Sequence, residues 1–185
     1  MTEKEKCKNG LPYNPNFDET LIKERNYCKS LCQEYNTTEY SNTILKEELL
    51  KKILPNTKTK VNIEPPFWCD YGYNVQIGKN FFSNHNLVIL DCTDVTIGDN
   101  VFVGPNCGFY TANHPLDPIE RNKGIEYAKP INIGDNVWIG GNVIILPGVT
   151  IGNNSIIGAG SVVTKNIPDN VIAVGNPCKI IKEIN

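Results

Sequence analysis

An aliphatic residue that returns every sixth position limits this chain more than anything else in it. From residue 133 the sequence reads IGDNVW, IGGNVI, ILPGVT, IGNNSI, IGAGSV and VTKNIP, with Ile133, Ile139, Ile145, Ile151, Ile157 and Val163 in first place. Glycine follows at 134, 140, 152 and 158. The frame reaches back to Ile97 ("IGDNVF") and Val103 ("VGPNCG"), and 97 lies six whole repeats before 133. An earlier unit, "IGKNFF" at Ile77, is offset by two residues, which places an irregular turn between 89 and 97. A period of six suits neither an amphipathic helix nor a simple hairpin. It suits short strands that turn a corner at regular intervals, each sending one aliphatic side chain inward. Stacked turns then pair their strands in parallel and bury a continuous ladder, the logic of a β-solenoid. Glycine fits a tight corner, and the Asp-Asn and Asn-Asn pairs supply residues that tolerate left-handed backbone.

Residues 1–60 have a different grammar, polar and helical. In "DETLIKERNYCKSLCQEYN", Asp18 is a good N-cap, and Leu21, Ile22, Cys28, Leu31, Cys32 and Tyr35 share a stripe. In "SNTILKEELLKKILPN", Ser41 or Asn42 caps a second helix carrying Ile44, Leu45, Leu49, Leu50, Ile53 and Leu54, and Pro55 ends it. The expected organisation is an α-helical cap over 1–60 and a mainly β domain over 61–185. An extended loop at about 111–130, "TANHPLDPIERNKGIEYAKP", interrupts the repeat and carries one of only two histidines.

Composition narrows the function classes. A net charge of −2 recruits neither nucleic acid nor an anionic membrane. No apolar run approaches a membrane span, and "MTEKEKCKNG" lacks a signal-peptide core, so a cytoplasmic protein is expected. Seven cysteines, odd in number and without a CxxC, fit that compartment as small buried apolar residues. Zinc enzymes on a hexapeptide scaffold need three histidine ligands, and this chain has two histidines, so no metal is expected.

The six-residue pattern resembles the left-handed parallel β-helix of acyltransferases, an exception to right-handed crossovers. "PPFWCDYGYNVQIG", "FFSNHNLVILD", the loop with "TANHPLDP", "IGDNVWIGGNVIILPGVTIG" and "VGNPCKIIKEI" follow one another as in the maltose and galactoside O-acetyltransferases. The resemblance implies acetyl transfer from acetyl-CoA to a sugar hydroxyl, in a homotrimer with active sites between subunits.

A neutral alcohol attacks a thioester poorly, so the reaction needs a base, and histidine is the side chain whose ordinary pKa lies near neutrality. By the resemblance His114 is that base. His85 stands where the family has an aromatic and reads as a packing or surface residue. Asn84 matches an active-site asparagine near the acceptor and the acetyl group. Glu126 falls where the family places a residue that orients the histidine, through side chain or backbone. Asp70 matches an acceptor contact that is aspartate in maltose-type enzymes. Cys92 stands where galactoside enzymes carry an aspartate, with Asp91 next to it, a departure that argues against a galactoside acceptor. Asp18 either contacts the acceptor or only caps its helix. Trp138, Gly141, Ala159, Thr164, Lys165, Lys179 and Lys182 are expected, with Asn84, along a coenzyme groove, Gly141 offering its N–H to the thioester carbonyl.

Overall fold

The computed structural model describes residues 1–184. Three helices come first: α1 (Glu3–Lys8), α2 (Glu19–Thr37) and α3 (Thr43–Ile53). Asp18 caps α2 by accepting from the Leu21 N–H, and Asn42 caps α3 through the Leu45 N–H. The short α1 was not expected, although its capping box is written in the sequence as Thr2 and Glu5. On α3, Ile44 departs from the anticipated stripe and is exposed.

Strands then wind into six turns of a parallel β-solenoid. The first turn is β1 (Asn62–Ile63), β2 (Phe67–Cys69) and β3 (Val75–Ile77); the second is β4 (Phe82–Ser83), β5 (Leu87–Leu90) and β6 (Val95–Ile97). The third holds β7 (Phe102–Val103) and β8 (Gly108–Tyr110). It then leaves the prism through a loop with strands β9 (Ala112–Asn113) and β10 (Tyr127–Ala128) and helix α4 (Pro118–Asn122), and closes with β11 (Ile131–Ile133). Next come β12 (Trp138–Ile139), β13 (Ile144–Ile145) and β14 (Thr150–Ile151), then β15 (Ile156–Ile157) and β16 (Val162–Val163). The last turn is β17 (Val171–Val174), against which β18 (Lys179–Glu183) folds back antiparallel. Stacking gives three sheets: β1-β4-β7-β12-β15-β17-β18 (sheet one), β2-β5-β8-β13-β16 (sheet two) and β3-β6-β11-β14 (sheet three).

Two details differ from the sequence expectation. Each repeat sends two side chains inward, not one. The ladder residues Ile133, Ile139 and Ile145 are buried, and so are Val137, Val143 and Val149 at the fifth place. The reason is strand geometry: the fifth residue lies two before the next first place, and alternate residues share a face. Second, 97 to 133 spans one turn rather than two, because Ile97 pairs directly with Ile133. Eighteen of those residues are extra to a turn of three sixes.

The glycines and asparagines divide the corner work. At the corner from sheet three to sheet one the left-handed residues are asparagines 80, 100, 136, 154 and 170, with φ near +57°. Their side chains form a ladder in which each Nδ2 donates to the next Oδ1 at 2.9–3.0 Å. Glycine serves close approach instead: a Cβ on Gly98 would lie 2.7 Å from the Gly134 carbonyl of the next turn.

The corners from sheet one to two and from sheet three to one keep six-residue spacing throughout. The corner from sheet two to three does not. Cys69 to Ile77 and Ile89 to Ile97 are eight residues, Phe109 to Ile133 is twenty-four, and Ile145 to Ile151 is six. The helices plug the first-turn end. Asn36 on α2 accepts from the Phe67 N–H at 2.8 Å and donates to its carbonyl at 3.0 Å. One continuous apolar core runs from Cys28, Leu31 and Ile53 into the ladder, so the helical cap has no separate core in this region.

Candidate active site

The widened edge between sheets two and three carries Asp70, Asp91, Cys92 and the loop with His114 and Glu126. Tyr110 ends β8, and Thr111 starts the loop with its N–H and hydroxyl both donating to the Leu90 carbonyl of the turn before. His114 follows directly, exposed, at the rim of an open hollow of about 650 Å³ lined by Gly10, Pro115, Leu116, Tyr127 and Lys129. Its Nδ1 lies 3.2 Å from the Ile125 carbonyl oxygen. A carbonyl only accepts, so this hydrogen bond needs the proton on Nδ1 and leaves the Nε2 lone pair free.

The orienting acceptor is therefore the Ile125 carbonyl, and the expectation for Glu126 needs correction. Glu126 is turned toward the N-terminal segment. Its backbone exchanges hydrogen bonds with Tyr13 at 2.9 and 3.1 Å, and its carboxylate accepts from the Tyr13 hydroxyl at 3.0 Å. Asn14 adds a bond to the Lys123 carbonyl at 2.8 Å. The N-terminal strap thus pins the returning arm of the loop, and Glu126 helps hold Ile125 without touching the imidazole.

Asp91 also needs correction as a substrate contact. It is 0% exposed, and its two oxygens accept from the N–H groups of Asp70, Tyr71 and Gly72 at 2.7–2.9 Å. Burial pushes its carboxyl up to about 7, against the pull of those donors and with help from the charge of Asp70. Its work is to shape the widened first corner. Asp70 on that corner stays partly open and pairs with Lys29 of α2 at 3.1 Å. Cys92 offers no carboxylate, only a backbone carbonyl that accepts from the Cys7 thiol and from Asn74. Asp18 is occupied as the α2 cap.

The remaining residues lie elsewhere. Asn84 follows β4 at the corner between sheets one and two, its Oδ1 accepting from the His85 N–H at 2.8 Å. His85 is exposed, with Nδ1 against the Pro65 carbonyl. Gly141 and Ala159 follow β12 and β15 at that same corner.

 

Among the described residues, none accepts from the Gly141 N–H, while the flanking Gly140 and Asn142 amides are both engaged. Trp138 faces outward from sheet one and is 57% exposed, so it is no core residue. In register with it across the sheet stand Phe102, then Ile156, Ile172 and Lys182. The Cys178 N–H donates to the Val162 carbonyl, which sets Lys179 near the end of β16 that carries the exposed Thr164 and Lys165. The structure brings Asn84, Gly141 and Ala159 to one edge, with Trp138 and the lysines on the adjoining sheet and strand ends. It brings His114 and Asp70 to a different edge of the same prism.

Comparison with known proteins gives the family. A family model described as the maltose acetyltransferase hexapeptide capping motif matches residues 6–58, and one for the bacterial transferase hexapeptide (six repeats) matches 130–165. A maltose O-acetyltransferase structure from Clostridium difficile 630 is 53% identical with a TM-score of 0.97, covering 100% of this chain and 98% of that one. The chain belongs to the maltose and galactoside O-acetyltransferase family. A galactoside acetyltransferase in complex with coenzyme A is 44% identical, TM-score 0.93, covering 100% and 92% of the two chains. A hexapeptide-repeat acetyltransferase from Vibrio cholerae O1 biovar eltor, complexed with acetyl-coenzyme A, is 35% identical over 100% of both, TM-score 0.91. No helix among the described residues is long and apolar enough to cross a membrane.

Proposed function

We propose that this member of the family transfers an acetyl group from acetyl-CoA to a hydroxyl of a sugar of the maltose or glucose type, with His114 as general base. The observation that carries the reading is the Nδ1 contact of His114 with the Ile125 carbonyl, which fixes the tautomer with a free Nε2. Acetyl-CoA supplies a thioester carbon open to attack. Nε2 takes the proton of the acceptor hydroxyl as the oxygen bonds to that carbon, and the resulting imidazolium returns a proton to the departing sulfur. Throughout, the Ile125 carbonyl holds the Nδ1 proton and steadies the ring. The unengaged Gly141 N–H is free to meet the developing oxyanion, an interaction worth roughly 3 kcal/mol in comparable sites. The exposed Trp138 ring and the row toward Lys182 offer an apolar track ending in positive charge, which suits a pantetheine arm and its phosphates.

Asn84 and Gly141 lie on one edge and His114 on another, so a complete site draws the two halves from two copies of the chain. The outward rows support such an assembly. Sheets one and two expose Phe102, Trp138 and Trp68, whereas sheet three presents Gln76, Thr96, Asn132 and Thr150. We take the assembly as the homotrimer that the family resemblance implies. Asp70 is the carboxylate placed to accept from sugar hydroxyls, and the absence of an acidic side chain at Cys92 favours a maltose-type over a galactoside acceptor.

The test is thiol release from acetyl-CoA with maltose, glucose, a thiogalactoside, serine and chloramphenicol, for wild type and His114→Ala. Turnover with maltose or glucose that is lost in the variant supports the reading. Full rate in the variant, or turnover with serine or chloramphenicol alone, overturns it.

A further inference from the structure

Three thiols meet where the helical segment closes the solenoid, and neither the proposed chemistry nor its positioning residues use them. Cys28 and Cys32 sit one turn apart on the inner face of α2, and Cys69 points inward at the end of β2. The Cys28 and Cys69 sulfurs are 3.5 Å apart and those of Cys32 and Cys69 are 3.9 Å apart. All three lie within 4.8 Å of one another, buried and unoxidised. The place in the ladder that Cys69 fills is taken in later turns by Ile89, Phe109, Ile145 and Val163. The column gives up a large apolar side chain only where two helix sulfurs face it.

Geometry and charge select what such a cluster can hold. An ion about 2.3 Å from three sulfurs holds them roughly 4 Å apart if it lies in their plane and somewhat closer if it stands above it, as a trivalent ion with a lone pair does, and the 3.5 and 3.9 Å separations here suit that arrangement. A closed tetrahedral zinc site needs a fourth ligand, and the nearby Asp91 carboxylate is committed to three backbone donors. Three thiolates leave a net negative charge around a monovalent or divalent ion, which burial penalises, and none around a trivalent one.

We propose that Cys28, Cys32 and Cys69 form a tris-thiolate site for a trivalent thiophilic metalloid, with arsenite as the probe. Three arsenic–sulfur bonds form and three arsenic–oxygen bonds break. Each thiol proton leaves with a hydroxide as water, and no oxidation state changes. Entry is through Cys28, which lines an open hollow of about 180 Å³ between α2, Tyr71 and Tyr73. The residues that follow Cys28 and Cys69, Lys29 and Asp70, form the ion pair beside the acceptor corner. A filled site therefore staples α2 to the first turn immediately next to that pair.

Titration of the full-length protein with arsenite, followed by native mass spectrometry and arsenic-edge X-ray absorption, tests this. The expected result is one arsenic per chain with three sulfur neighbours. Cys69→Val, which installs the residue used at 163, is expected to weaken binding by at least about 100-fold, and Cys7→Ser to leave it unchanged. Failure of the wild type to bind, unaltered affinity in Cys69→Val, or loss in Cys7→Ser overturns the proposal. Should Cys69→Val not fold, the wild-type sulfur count decides: three supports the site, two or fewer overturns it.

Discussion

The first three turns and the next turn of this solenoid obey the same six-residue rule on two corners and part company on the third. Between sheets two and three the early turns carry eight, eight and twenty-four residues, where the fourth carries six. Yet Ile77, Ile97, Ile133 and Ile151 stand in one unbroken register. Register is set by the buried ladder and the strands on either side, and extra residues at a corner bulge outward without disturbing it. At the regular corners backbone contacts such as Gly98 against Gly134 leave no room for even a Cβ at such glycine positions. The widened one is open enough to hold an ion pair, a buried carboxylate and a histidine loop.

The contrast can be broken from the loop side with the greatest effect. His114→Ala is expected to lower kcat by about 10²–10⁴-fold while leaving the thermal midpoint nearly unchanged, because the residue is exposed. Steady-state kinetics beside a melting curve separates the two readouts. At a regular corner the order reverses. In Gly98→Ala the new Cβ meets the Gly134 carbonyl at 2.7 Å, so urea unfolding should show a loss of about 1–3 kcal/mol.

Asp91 sharpens the comparison through pH. Its carboxyl moves from 3.8 to about 7 on folding, so between those values the folded chain holds a proton that the unfolded chain has released. Its contribution is fully present below about pH 4 and is lost as pH rises through 7, with a slope of up to ~1.4 kcal/mol per unit. Asp91→Asn should flatten that part of the stability–pH curve; an unchanged slope would assign it to other groups. The smallest effect belongs to the loop tip. Leu116 is 96% exposed, and Leu116→Ser should change stability by less than about 0.5 kcal/mol in the same urea assay.

Much of the solenoid was legible because the repeat is local: Ile133 to Val163 announce themselves one unit at a time. The caps Asp18 and Asn42 were legible for the same reason. The count from 97 to 133 misled because six repeats and one turn with eighteen extra residues have the same length. Only the pairing of Ile97 with Ile133 separates them. Asp91 looked like a spare carboxylate because nothing in its neighbours shows that Asp70, Tyr71 and Gly72 will aim three amides at it from the preceding turn. Glu126 is one residue from the carbonyl that meets the His114 ring, and its own carboxylate is taken by Tyr13, far away in sequence. Cys69 joins Cys28 and Cys32 only after a helix and a strand have packed, and no spacing rule encodes that.

Because the loop leaves and re-enters the prism at one edge, its length is uncoupled from the pitch of the winding. That edge works as a socket. Segments of other lengths and chemistries can be exchanged there without re-registering any strand above or below. A lineage built on this scaffold can therefore alter what this edge presents by trading a single insert, while the stacked corners elsewhere on the prism stay as they are.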